Sequence, residues 1–299
     1  MRLEEHAIAE KLFTEGVRER IERDYAVQAG ASTAMEFVDM IVGGLDQHPS
    51  DLFASRANAD VFKAAVWALG SNSRSWATFL KNRDKLIDAL GGLDPVRASA
   101  CDMATLTALL PGQTSTGDAK AVLAWANLLA DFEEREERYY DGVIALAHTI
   151  KRRAASQGVS LPDERLMLCV VAHLIDEPPK RWDGPTVGKL RGMRFALGSE
   201  FFRNLGWNGF KPDRHVIRLL NGWVGPLVEA QTVTARQLAR LAGRDTKEVR
   251  EMMRYSLAGI AISPSTNFSR ADNLIWLLGA YVETKRSTDS HGFGHYLSA

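Results

Sequence analysis

Apolar residues recur at three- and four-residue spacing along almost the whole chain, and the strict alternation of a half-buried strand is missing. Residues 3–28 set the pattern, with Ala7, Ile8, Leu12, Phe13, Val17 and Ile21 on one stripe. The same spacing predicts helices at about 33–44, 51–69, 75–90, 95–109, 117–153 and 163–175. It continues at 195–206, 213–224, 234–242, 246–261 and 269–285. Turn chemistry falls between these stretches, at Gly91-Gly92, Pro111-Gly112, Pro178-Pro179, Asn208-Gly209 and Pro264. The run Asp131 to Arg138 alternates in sign and reads as a solvated helix face. The expected fold class is all-α.

At 299 residues the chain is long enough for two average domains or one large one. No apolar run reaches the roughly 18 residues of a membrane helix. The opening MRLEEHAIAEKLF is acidic and amphipathic, unlike a secretory signal, so a cytoplasmic protein is expected. Two cysteines, Cys101 and Cys169, make neither a disulfide framework nor a metal cluster. His148, His173 and His215 lack metal-ligand spacing, and no metal is expected.

Net charge is zero, yet residues 151–299 carry 22 of the 37 basic and only 14 of the 37 acidic side chains. Of the basic residues 26 are Arg, whose planar fork of donors suits phosphates and base edges. A basic half beside an acidic half points to a polyanion partner, although scattered solvated charge gives the same count.

Residues 190–220 carry the most information. Leu190-Arg191-Gly192-Met193-Arg194-Phe195-Ala196-Leu197-Gly198 reads as the end of one helix, a tight turn at Gly192 and the start of a second helix. A Gly/Pro linker then delivers Pro212-Asp213-Arg214-His215-Val216 at the mouth of a third helix. Amides left open at a helix N-terminus bind an anion, because orphan donors and the helix dipole both favour negative charge. An Asp at such an end is held as a carboxylate, or is simply an N-cap.

These residues resemble the helix-hairpin-helix DNA glycosylases. Their hairpin usually reads Leu-Pro-Gly-apolar-Gly-x-Lys-x-Ala and precedes a Val/Pro-Asp-x-His-Val segment by about the 21 residues that separate Gly192 from Asp213. The resemblance covers roughly 60–225 and is strongest at 186–222. It implies a helical lobe at 60–208 bearing the hairpin, and a second lobe from 1–59 and 209–299 bearing the catalytic Asp213. A base pocket would lie between them. It also implies duplex DNA with a damaged or modified base as partner, a monomer, and no cofactor. Lys189, Arg191, Gly192, Met193, Arg194 and Lys211 become the expected phosphate contacts. Ser71, Asn72, Ser73 and Arg74, in a small polar loop before the helix near Ser75, become candidates for entering the minor groove. That loop also reads as an ordinary Ser/Asn cap.

Two positions depart from the family pattern. Arg194 replaces the second hairpin glycine, and Ala196 stands where bifunctional members place a nucleophilic lysine. Without that amine, water attacks the sugar and the strand stays intact. The base could be an alkylated or oxidised purine, or a hypermodified phage-type pyrimidine. The alternative is a DNA-binding regulator without catalysis, using a helix-turn-helix-like segment at 234–254.

Overall fold

The computed structural model describes residues 1–25, 30–43, 51–72, 74–176, 182–284 and 294–298. Fifteen α-helices run through them, and the one ladder is a two-residue antiparallel pair, Arg2↔Ser298 and Leu3↔Leu297. The fold is all-α. Among the described residues, no helix is long and apolar enough to cross a membrane.

The chain packs into two compact units. The first takes in Met1–His48, Asn208–Arg240 and Asp245–Ala299; the second takes in Pro49–Trp207 and Leu241–Arg244. The second unit therefore begins at Pro49 rather than 60, and it also claims four residues that the sequence leads one to place with the other lobe.

In the first unit, β1 (Arg2–Leu3) leads into α1 (Glu5–Leu12), α2 (Glu15–Tyr25) and α3 (Ala34–Gly43). The apolar stripe expected over 3–28 is present but breaks near Phe13, where the Thr14 carbonyl accepts the Val17 and Arg18 amides. Ile8, Leu12 and Ile21 face a core shared with Phe37, Val216 and Leu219.

The second unit holds α4 (Asn58–Ala68), α5 (Trp76–Ala89), α6 (Pro95–Ala98), α7 (Met103–Leu109) and α8 (Ser115–Glu134). It continues with α9 (Tyr139–Ser156), α10 (Asp163–Leu174) and α11 (Phe195–Asn204). The helix expected over 117–153 is two helices. Glu136 adopts φ 56° between them, and buried Asn58 clamps the break. Its amide nitrogen donates to the Glu137 carbonyl at 2.9 Å, and its oxygen accepts the Tyr139 amide at 2.9 Å. One side chain thus satisfies two backbone groups that a helix end leaves open. The solvated helix face expected at 131–138 therefore ends at Glu134. Asp102 caps α7 in the same way inside the single helix expected at 95–109.

The first unit is completed by α12 (Arg214–Ala230), α13 (Thr232–Leu241, whose last residue belongs to the second unit), α14 (Lys247–Ile262) and α15 (Phe268–Tyr281). Then follows β2 (Leu297–Ser298). α12 kinks at Val224, two residues before Pro226, a residue with no amide to give an interior helix bond.

Candidate catalytic carboxylate and phosphate-binding turn

In the first unit, Asp213 is the N-cap of α12. Its Oδ1 accepts the amides of His215 at 2.8 Å and Val216 at 3.1 Å. Its Oδ2 makes no hydrogen bond among the described residues and lies 3.9 Å from Lys211 Nζ. One oxygen is fixed by the helix end; the other is free to take a proton.

Lys211 is a correction to the sequence reading. It is 6% exposed, not a surface phosphate contact, and its backbone amide donates to Asp272 Oδ1 at 3.0 Å. The loop before Asp213 is pinned along its length. Ser269 donates its amide to Asn208 Oδ1 at 3.1 Å, and its hydroxyl accepts the Gly209 amide at 3.3 Å. Phe210 is buried against Gly259, where any Cβ would stand 2.4 Å from the ring. Ser269, Asp272 and Gly259 are positioning residues that the sequence reading missed. The available signal was a buried polar stripe, Ser269, Asp272 and Asn273, on the otherwise apolar α15.

His215 sits on the first turn of α12, with Nδ1 3.2 Å from the Gly279 carbonyl and Nε2 accepting from Arg214 Nε at 3.3 Å. Burial holds its pKa below the ordinary imidazole value; Asp213 pulls the other way, while Arg214 and Arg218 reinforce the depression. Burial likewise lowers His173 in the second unit, a side chain with Nε2 unpartnered. Both imidazoles bind fewer protons folded than unfolded. Stability is therefore full above the unfolded pKa of about 6.5 and declines as pH falls below it. Calorimetry should show a lower melting temperature at pH 5.5 than at pH 7.5, with each imidazole contributing at most about 1.4 kcal/mol per pH unit. An equal melting temperature, or a higher one at pH 5.5, would remove this account.

The second unit holds the turn. No helix leads directly into Gly192: residues 182–194 are irregular, so the expected helix–turn–helix lacks its first helix at that point. The turn is set by α8 and α9 instead. Trp125 Nε1 donates to the Arg191 carbonyl at 2.7 Å, and the Tyr139 hydroxyl donates to the Gly188 carbonyl at 2.8 Å. Gly192 has φ 79°, a left-handed conformation that favours glycine, and packs over Ala121. With two carbonyls drawn inward, α11 starts after Arg194 with no capping side chain. The amides of Phe195, Ala196 and Leu197 have no protein acceptor among the described residues.

Arg191, Gly192 and Arg194 are exposed around this helix end. Met193 is not: it is 4% exposed and lines a small apolar cavity with Leu190, Tyr139 and Phe202, so only its backbone is left for a ligand. Lys189 is half-buried, with Nζ 3.6 Å from Asp176.

The loop expected to enter the minor groove is also corrected. Arg74 is 1% exposed and ion-paired to Asp118 of α8. Asn72 donates to the same carboxylate at 2.8 Å, as does the Thr114 hydroxyl at 2.8 Å. Burial pushes the Asp118 carboxyl above its ordinary value, against the pull of Thr114, Arg74 and Asn72. Asn72 and Arg74 therefore brace the loop from within. Ser71 lies in a short 3-10 turn at Leu69–Ser71, Ser75 rather than its neighbours caps α5, and Ser73 lies outside the described residues.

Among the described residues, no three His, Cys, Asp or Glu side chains gather as a metal would need. Neither the models of known protein families, nor curated proteins, nor solved structures give a match to this chain.

Proposed function

We propose that this protein is a monofunctional DNA glycosylase, which extrudes a damaged or modified base from duplex DNA and hydrolyses its N-glycosidic bond. The observation that carries the reading is Asp213, a carboxylate with one oxygen locked by two amides and the other, among the described residues, left without a hydrogen bond. As the C1′–N bond breaks, its electron pair leaves with the base and the sugar becomes cationic. A fixed anion stabilises that charge without reorganising. Water then forms the new C1′–O bond and gives its proton to Oδ2, acting as a general base.

The open amides of α11, with Arg191 and Arg194 beside them, suit a backbone phosphate, which positions a duplex without reading its sequence. Ala196 supplies no amine. Lys211 Nζ is ion-paired with the Asp213 carboxylate at 3.9 Å rather than standing open as a nucleophile. The regulator reading draws less support. Arg250 and Arg254 on α14 are paired with Asp245 and Glu229, and the exposed positions of its first turns include Glu248 and Glu251.

The test is mass spectrometry of bases released from alkylated DNA, oxidised DNA and phage DNA with substituted cytosines. A free base is expected from one of these, on a strand that breaks only after alkali. A borohydride-trapped adduct lost in Lys211→Ala would make the enzyme bifunctional. Binding to all three DNAs without release would leave a non-catalytic DNA-binding protein.

A further inference from the structure

Arg244 lies in the turn between α13 and α14, within the second unit. His173, near the end of α10 and 1% exposed, holds that turn by a 2.9 Å contact from Nδ1 to the Ala242 carbonyl. The guanidinium is thereby carried to Asp176, just beyond α10, with Nη1 3.6 Å from Oδ2. Lys189 Nζ lies 3.6 Å from the other oxygen of the same carboxylate. Neither distance is a hydrogen bond.

The Arg244 side chain is 14% exposed, and its Nε and Nη2 are buried with no acceptor. Asp176 is 63% exposed, so much of its charge is spent on water. Among the described residues, Arg244 and Lys189 thus both face this largely solvated carboxylate. The neighbouring Arg153 does not add to the excess, because it is paired with Asp183 and stacked on Trp182, whose ring packs against His173. A guanidinium removed from water and left without a hydrogen-bonded counter-ion is an unfinished anion site.

We infer that Arg244 and Lys189 form a phosphate site in which the phosphate takes the place that Asp176 half fills. Lys189 lies three residues before Gly192, so the site extends the phosphate-binding turn with an arginine from the turn between α13 and α14. The shared chemistry is a tetrahedral phosphate oxyanion. A DNA backbone as its source rests on the glycosylase reading; free phosphate does not.

Two measurements on the full chain separate the sources. The first is duplex affinity across a salt series; the second is the melting temperature in inorganic phosphate against chloride at equal ionic strength. Arg244→Gln should lower the slope of log affinity against log salt by about 0.9, the share of one phosphate contact. Asp176→Asn, which removes the competing carboxylate, should tighten duplex binding several-fold. An unchanged slope in a folded Arg244→Gln, or weaker binding by Asp176→Asn, overturns the site; if the wild type still releases base, the glycosylase reading survives that result. A wild type that binds no DNA, yet gains stability from inorganic phosphate only while Arg244 is present, keeps the site for a free ligand and removes the glycosylase reading.

Discussion

Asp213→Asn should fold, bind DNA and release base about 10²–10³ times more slowly than the wild type, the scale on which one preorganised electrostatic group acts. The substitution isolates charge. Asn caps a helix about as well as Asp, so its oxygen can go on accepting the His215 and Val216 amides. What disappears is the negative charge facing Lys211 and the basic oxygen for the attacking water. Asp213→Ala removes the cap as well, at a further cost of about 1 kcal/mol in stability. A melting temperature near wild type with strongly reduced single-turnover base release is the expected pair of results for Asp213→Asn. Near-normal release by that variant would take the catalytic role away from Asp213.

The largest stability effect is expected at Asp118. Asp118→Ala leaves the Arg74 guanidinium buried, with Nε and Nη1 already lacking acceptors and its one ion pair gone. Removing one partner of a buried pair costs about 3–5 kcal/mol, because the remaining charge stays desolvated. For a unit of this size that lowers the melting temperature by about 10 °C or more. The double replacement Arg74→Met/Asp118→Leu should recover most of the loss, since two apolar groups of similar volume need no compensation. Chemical denaturation of the single and double variants gives the coupling. A single variant within 1 kcal/mol of wild type would show that the pair is solvated in solution.

The helices were legible because their signals are local. Stripes at three- and four-residue spacing mark α1 to α3, and side-chain caps at Ser75, Thr246 and Asp213 open α5, α14 and α12 where sequence alone would put them. Three of the misses share one physical origin. The break at Glu136 has no glycine or proline to announce it and is held by Asn58, about 80 residues earlier. Arg74 reads as a surface loop residue until Asp118, 44 residues on, takes its charge. Lys211 reads as a flexible loop cation, and its backbone is fixed by Asp272, 61 residues later. In each case a polar side chain is buried by a partner outside any window that periodicity can scan. The N-cap at Asp213 is the converse: the plain reading of Pro-Asp describes the geometry correctly, and any chemistry there is built upon it.

The pairing of the first strand with the last has a temporal side. Leu3 finds Leu297, and the Glu4 amide finds the Tyr296 carbonyl, so this pairing closes only after the nearly 300 residues between its two sides have been made. At about 5–20 residues per second, the interval is roughly fifteen seconds to a minute. The partners of Ile8 and Leu12 on α12 and α15 are also unmade for most of it. The segment Pro49–Trp207, by contrast, holds nearly all of its own packing and can condense while the ribosome is still at work. The nascent chain therefore carries an early amphipathic stretch whose apolar side is only partly covered, by α3, until α12 and α15 have been made.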